Sequence, residues 1–269
     1  MSGPNVGVVF RPQSPPERLP AIAEAAERAG VAQLWLWEDC FLEGGLSTAA
    51  VALARTERLH VGVGLMPVPL RNPALAAMEI ATLARLFPGR FLPAFGHGVL
   101  DWMGQVGARA ASPMTLLSEY TDAVRALLRG ERVDSAGDYV RLEGVALDWP
   151  PQQVPPVLVG ARGPRTLRLA GRLADGVVLD TGLDTDDVRD ALLEVSADRP
   201  RDGSGDRPRD GAPFHVVCYV AVRSHTSDLA HWAATTAAAY GEAGADSVVF
   251  VPPAGDPDPM PLIEAVGTR

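Results

Sequence analysis

The sequence predicts an α/β chain closed into a (β/α)8, TIM-like barrel, and three observations carry that prediction. Short apolar runs alternate eight times with stretches of helical periodicity. Each run is apolar throughout rather than alternating in and out, the mark of parallel strands covered by helices. A length of 269 residues suits one such barrel spanning 1–269, and no dinucleotide fingerprint follows the first run to favour an open doubly wound sheet.

Val6 to Phe10 is the first strand, followed by a proline-rich polar loop. Leu19, Ile22, Ala23, Ala26 and Ala29 form a helical stripe that stops at Gly30, a residue suited to a C-cap. Gln33 to Trp37 is the second strand, and Ser47 is placed to cap a helix from Thr48 to about Glu57. His60 to Met66 is the third strand. After a loop through Arg71, a helix runs from Ala74 to Phe87, where Pro88-Gly89 stops it. Arg90 to Phe95 is the fourth strand and leads into Gly96-His97-Gly98, then a loop with Trp102 and Met103. A helix from Pro113 to Leu128 and a peripheral hairpin over 130–147 precede the fifth strand, Val157 to Val159. The sixth strand is Gly176 to Asp180, and a helix runs from Asp184 to Val195. The hexapeptide DRPRDG occurs twice within 198–211, a low-complexity, apolar-free stretch expected to be a disordered loop. Strand seven (Phe214 to Val222), a helix from Thr226 to Gly241, strand eight (Asp246 to Val251) and a helix from Pro259 to Val266 complete the chain.

The net charge of -9 argues against nucleic acid or an anionic membrane as partner. Two distant cysteines, Cys40 and Cys218, exclude a disulfide framework and fit a reducing cytoplasm. No signal peptide, zinc-type spacing or membrane-length apolar run is expected, so a soluble cytoplasmic protein without metal is anticipated.

Active sites of such barrels lie at the C-terminal ends of the strands. One of those ends carries Gly160-Ala161-Arg162-Gly163, with Pro164 at the first position of the following helix. The turn favours an anion through free N–H groups and the helix dipole, and Arg162 and Arg165 add charge, so a phosphate-bearing ligand is one reading. A plain tight connection is the other. His97, between two glycines at a strand end, is the histidine placed to bond a ligand or donate a proton. Glu38 and Asp39 are adjacent, so on an extended strand only one faces the mouth, and Asp39 is favoured. Trp35 and Trp37 read as packing, Trp102 and Met103 as a ligand wall, and Glu119 as structural. Cys40 reads as a reactive thiol or an inert buried one, and Arg71 as a holder of an acidic tail or a loop cap.

Four stretches taken together, HVGVGLMPVPLRNP (60–73), MEIATLARLFPGRF (78–91), AFGHG (94–98) and PPVLVGARGPRTLRLAGRLADGVVL (155–179), resemble the bacterial-luciferase-like superfamily of flavin and deazaflavin oxidoreductases. Within it the chain is most similar to the F420-dependent branch that includes methylenetetrahydromethanopterin reductase. The resemblance covers roughly residues 6–180. It implies hydride transfer between F420 and a small-molecule substrate, with FMN as the alternative cofactor for a monooxygenase or reductase, and it allows a homodimer through outer helices. It further implies a bulge with a non-prolyl cis peptide at Gly64-Leu65 beside Met66, backing the ring. Gly96, His97 and Gly98 would line that ring, and Gly160, Ala161, Arg162, Gly163, Pro164 and Arg165 would hold the phosphate. Asp39 would be the acidic residue after the second strand. The family's sugar-phosphate and alcohol dehydrogenases carry His and Trp where Cys40 and Gly44 stand here, and an acid where Val99 stands. Their acid/base set is absent, which points to a reductase in which the cofactor carries the chemistry, or to a non-catalytic cofactor-binding protein.

Overall fold

The structure is a computed structural model and describes residues 3–199, 213–222 and 228–267. Eight strands close a parallel barrel: β1 (Asn5–Phe10), β2 (Gln33–Leu36), β3 (His60–Pro67), β4 (Phe91–Gly96), β7 (Leu158–Ala161), β8 (Gly176–Leu179), β9 (His215–Ala221) and β10 (Ser247–Val251), with β10 pairing back onto β1. β5 (Val133–Ala136) and β6 (Arg141–Val145) form the separate antiparallel hairpin expected from the alternation. The helices are α1 (Leu19–Ala29), α2 (Gly45–Ala54), α3 (Pro73–Leu86), α4 (Leu100–Gln105), α5 (Pro113–Leu128), α6 (Pro164–Leu173), α7 (Thr185–Ala197), α8 (Leu229–Glu242) and α9 (Met260–Val266).

The strands read as apolar runs because both faces are buried. In β1, Val8 and Phe10 pack under the helices while Val9 joins Trp35, Ala94, Leu158, Val217 and Val249 inside the barrel. The Trp35 indole fills the lower interior. A Cβ at Gly62 would collide with its ring, so glycine is required beside it. Its Nε1 donates to Gln33 Oε1 at 2.9 Å, and Gln33 Nε2 donates to Ser247 Oγ at 3.0 Å, so these buried polar groups are satisfied.

Two local expectations need correction, and two others lie partly outside the described residues. Ser47 does not cap α2: the N-cap is Gly44, and the Ser47 hydroxyl donates back to the Gly44 carbonyl at 2.9 Å from inside the first turn. The segment with Trp102 and Met103 is a short helix, α4, rather than a loop. Of the expected loop 198–211, residues 200–211 lie outside the described residues, as does the predicted start of the next helix at Thr226; the described helix begins at Leu229, capped by Asp228. Two other predictions are met. Gly30 is left-handed at φ 78°, and Glu119 accepts from the backbone N–H groups of Asp138, Tyr139 and Val140, pinning the hairpin to α5. No helix among the described residues is long and apolar enough to cross a membrane.

Candidate active site

A cavity of about 490 Å³ opens at the C-terminal ends of the strands, within the size range of small-molecule and cofactor sites. Trp37, Glu38 and Asp39 line it from the end of β2, Gly64, Leu65 and Pro67 from β3, and His97, Gly98, Val99 and Trp102 from the segment after β4. Gly160, Ala161, Arg162, Gly163 and Thr166 close the β7 side, and Val178, Asp180 and Tyr219 the remainder.

The pairing of β3 with β4 slips between Val63 and Met66, and the Gly64-Leu65 peptide within that bulge is cis, at the position the resemblance implied. The Cys40-Phe41 peptide is also cis. The slip presents Leu65 to the cavity and turns Met66 into the packing under the helices, so Met66 is buried and is not part of the wall. Gly96 does not line the cavity. A Cβ on Gly96 or Gly160 would collide with Leu65, so both glycines seat that side chain, and Gly160 alone also reaches the cavity.

His97 sits half-buried, with Nδ1 lacking a hydrogen-bond partner among the described residues. Burial lowers its pKa, opposed by the carbonyl of Pro113, so the imidazole is neutral near pH 7. Asp39 has its pKa raised by burial, against the nearby Arg11 charge and a hydrogen bond from Gln13, with Asp180 adding to the rise. Both Glu38 and Asp39 face the cavity: β2 ends at Leu36, so the strand alternation that would admit only one no longer applies. Glu38 is tied down by Arg71 at 2.8 and 3.2 Å and by the Gly45 N–H at 2.9 Å. Arg71 is thereby committed to Glu38 and Glu79 rather than to a ligand tail.

On the β7 side, Gly163 is the N-cap of α6, no side chain caps that first turn, and a Cβ at Gly163 would meet open space. Arg162 lines the cavity but is bridged to Asp180. Pro164 and Arg165 lie outside the wall: Pro164 borders a groove beside α7, and Arg165 is exposed. Met103 is likewise buried behind Gly98 while its neighbour Trp102 faces the cavity. Cys40 is partly buried and its thiol pKa is raised by burial and by Glu38 and Asp39, which disfavours a reactive thiolate. Trp37 and Tyr219 were not picked out by their sequence context. Trp37 packs against the interior cluster as expected and also lines the cavity beside Tyr219, ring centroids 5.7 Å apart. Tyr219 lies mid-strand in an apolar run, where nothing marks it as a ligand neighbour.

Residues 5–255 match the profile of a family described as luciferase-like monooxygenase. The chain is 29% identical over 174 residues to a 5,10-methylenetetrahydromethanopterin reductase of Methanolobus tindarius, covering 65% of this chain and 53% of that protein. It is 32% identical over 200 residues to an F420-dependent glucose-6-phosphate dehydrogenase of Nocardia farcinica, covering 68% and 60%. The matches thus span roughly half to three-fifths of those relatives. Among solved structures, a coenzyme F420-dependent tetrahydromethanopterin reductase from Methanopyrus kandleri shares the fold with TM-score 0.77 at 17% identity, covering 99% of this chain and 98% of that one. An F420-dependent secondary alcohol dehydrogenase does so with TM-score 0.79 at 17% identity, covering 98% and 97%.

Proposed function

The chain belongs to the luciferase-like monooxygenase family, and from that membership we propose that it is an F420-dependent oxidoreductase acting on a small organic substrate. The observation that carries the reading is the cavity wall itself. The β3 bulge that turns Leu65 into the cavity shares that wall with an open, uncapped helix turn at Gly163, and His97 lines it between them in the chain. F420-dependent relatives at about 30% identity support the choice of cofactor.

The residues present fit such a cofactor. When bound, the deazaflavin would carry the transferred hydride at its C5 carbon. Leu65, held in place by Gly96 and Gly160, would back the ring. The first turn of α6 offers its dipole and backbone N–H groups to the phosphate from Gly163, where the open backbone permits close approach. Neutral His97, lining the cavity, would be the base or, once protonated, the proton donor, and the half-buried Asp39 carboxyl holds a proton more readily than an exposed one. Trp102 and Val99 exclude water from one side.

Titration of the purified protein with F420 and, separately, with FMN, followed by fluorescence, tests the reading. Saturable binding of F420 alone is expected. Binding of FMN alone would move the protein to the flavin monooxygenases of its family, and binding of neither would reject both assignments.

A further inference from the structure

The bulge that turns Leu65 into the cavity has lost its strand neighbours. On one side the pairing of β2 with β3 ends at Leu36 and Val63. On the other, β4 pairs with Val63 and then next with Met66. Gly64 and Leu65 therefore stand outside both ladders, and their position has to be set by another element.

Tyr219 supplies it from across the barrel. β9 stands diametrically opposite β3 in the ring of eight strands, and the Tyr219 hydroxyl reaches over to donate to the Gly64 carbonyl at 3.3 Å. A Cβ on Gly64 would collide with that oxygen, so glycine leaves the room the hydroxyl needs. Burial pushes the phenol up from its ordinary value, opposed by the facing Trp37 indole and aided by Asp180, so the oxygen keeps the proton it donates. The ring is fixed as well: Trp35 meets it edge-on and Trp37 tilted, each with its centroid 5.7 Å away. Packing alone does not call for a phenol here. Val217, two residues earlier on the same face of β9, joins the same interior cluster with an aliphatic side chain.

Leu65 is thereby held from two directions. Its side chain rests against Gly96 and Gly160, while the carbonyl of the peptide before it is gripped by Tyr219. Resting on the F420 reading, we propose that Tyr219 is a positioning residue: through the Gly64 carbonyl it fixes Leu65, against which the deazaflavin ring would lie.

Tyr219→Phe keeps the ring between the two tryptophans and removes only the donor, and two measurements on it test the proposal. The first needs no cofactor. The Leu65 methyl NMR signals, identified by their loss in Leu65→Ala, should shift and broaden in Tyr219→Phe, while those of Leu53 and Leu167, packed under the helices, stay in place. The second is F420 affinity by fluorescence titration, which should fall about fivefold. In a Leu65→Ala background the same substitution should change affinity by less than about twofold, because the hydroxyl acts through Leu65. Val217→Ala, which hollows the same interior face, should lower Tm and leave F420 affinity unchanged. Unmoved Leu65 signals, unchanged affinity in Tyr219→Phe, or an equal loss with and without Leu65 would each overturn the proposal. Absence of F420 binding by the native protein would reject the cofactor reading alone, and the methyl signals would still decide whether Tyr219 holds Leu65.

Discussion

At the N-terminal end of the barrel, polar groups are spent on one another, whereas at the C-terminal end several are left waiting. Asp175, just before β8, accepts from Arg125 Nε at 3.1 Å and from the Val157 N–H at 3.0 Å. Asp246, just before β10, accepts from the Val216 N–H at 2.8 Å. Arg90, just before β4, donates to the carbonyls of Thr56 and Leu53, both at 2.6 Å, closing the C-terminal region of α2. At the other end, Trp37 Nε1, His97 Nδ1 and both carboxylate oxygens of Glu43 are buried without hydrogen-bond partners among the described residues. A paired buried group fixes the chain; an unpaired one costs stability that a ligand or a proton can restore. The contrast separates the end of the barrel that holds the fold from the end that works.

The largest expected effect sharpens this contrast from the structural end. Asp175→Ala strands the largely buried Arg125 guanidinium and an amide N–H, and should cost about 3 kcal/mol of stability by urea unfolding. F420 affinity of the folded fraction should stay unchanged. A loss below about 1 kcal/mol would show that this end is not held by its paired charges.

At the working end, Gly163→Glu places a carboxylate at the uncapped turn, where a Cβ has open space, so folding should be unaffected. Cofactor affinity measured by fluorescence titration should fall about tenfold, or about 1.4 kcal/mol. Unchanged affinity would remove the phosphate from this turn.

The smallest effect concerns Glu43, on the segment between β2 and α2, whose carboxyl is pushed up to about 7 by burial. Because the folded pKa lies above the unfolded value, the fold binds this proton more tightly. The group's contribution is therefore most favourable at low pH and declines as pH rises from about 4.5 toward 7. Glu43→Gln should remove that decline and raise Tm at pH 8 by about 2–4 °C, with little change at pH 5. An unaltered difference between the two pH values in thermal unfolding would break the comparison at this position.

The barrel was legible because a parallel strand covered on both sides has to be apolar throughout, and because Gly30, Pro113 and Pro164 mark helix ends by their own backbone preferences. Residues on the turn after β7 were legible for the same reason, since Gly160 and Gly163 advertise close approach. What stayed hidden depended on departures from regular geometry. The register slip in β3, expected from the family resemblance but not from period-two reasoning, reverses the facing of Met66 and Leu65. The early end of β2 at Leu36 brings both Glu38 and Asp39 to the cavity. Six residues and an uncapped start at Val99 left α4 without a sequence signature. Tyr219 is concealed because a residue inside a barrel and one under its helices occupy equally apolar runs.

The seating of Leu65 against Gly96 and Gly160 has a consequence for how relatives of this chain can diverge. The depth of the cavity is set partly by a residue that does not line it, since Gly96 seats Leu65 from behind the wall. One added methyl there displaces Leu65 into the space a substrate would use, because packed interiors do not absorb extra volume. Substrate size in such barrels can thus drift through substitutions outside the site, and a census of wall residues alone would miss the positions that govern it.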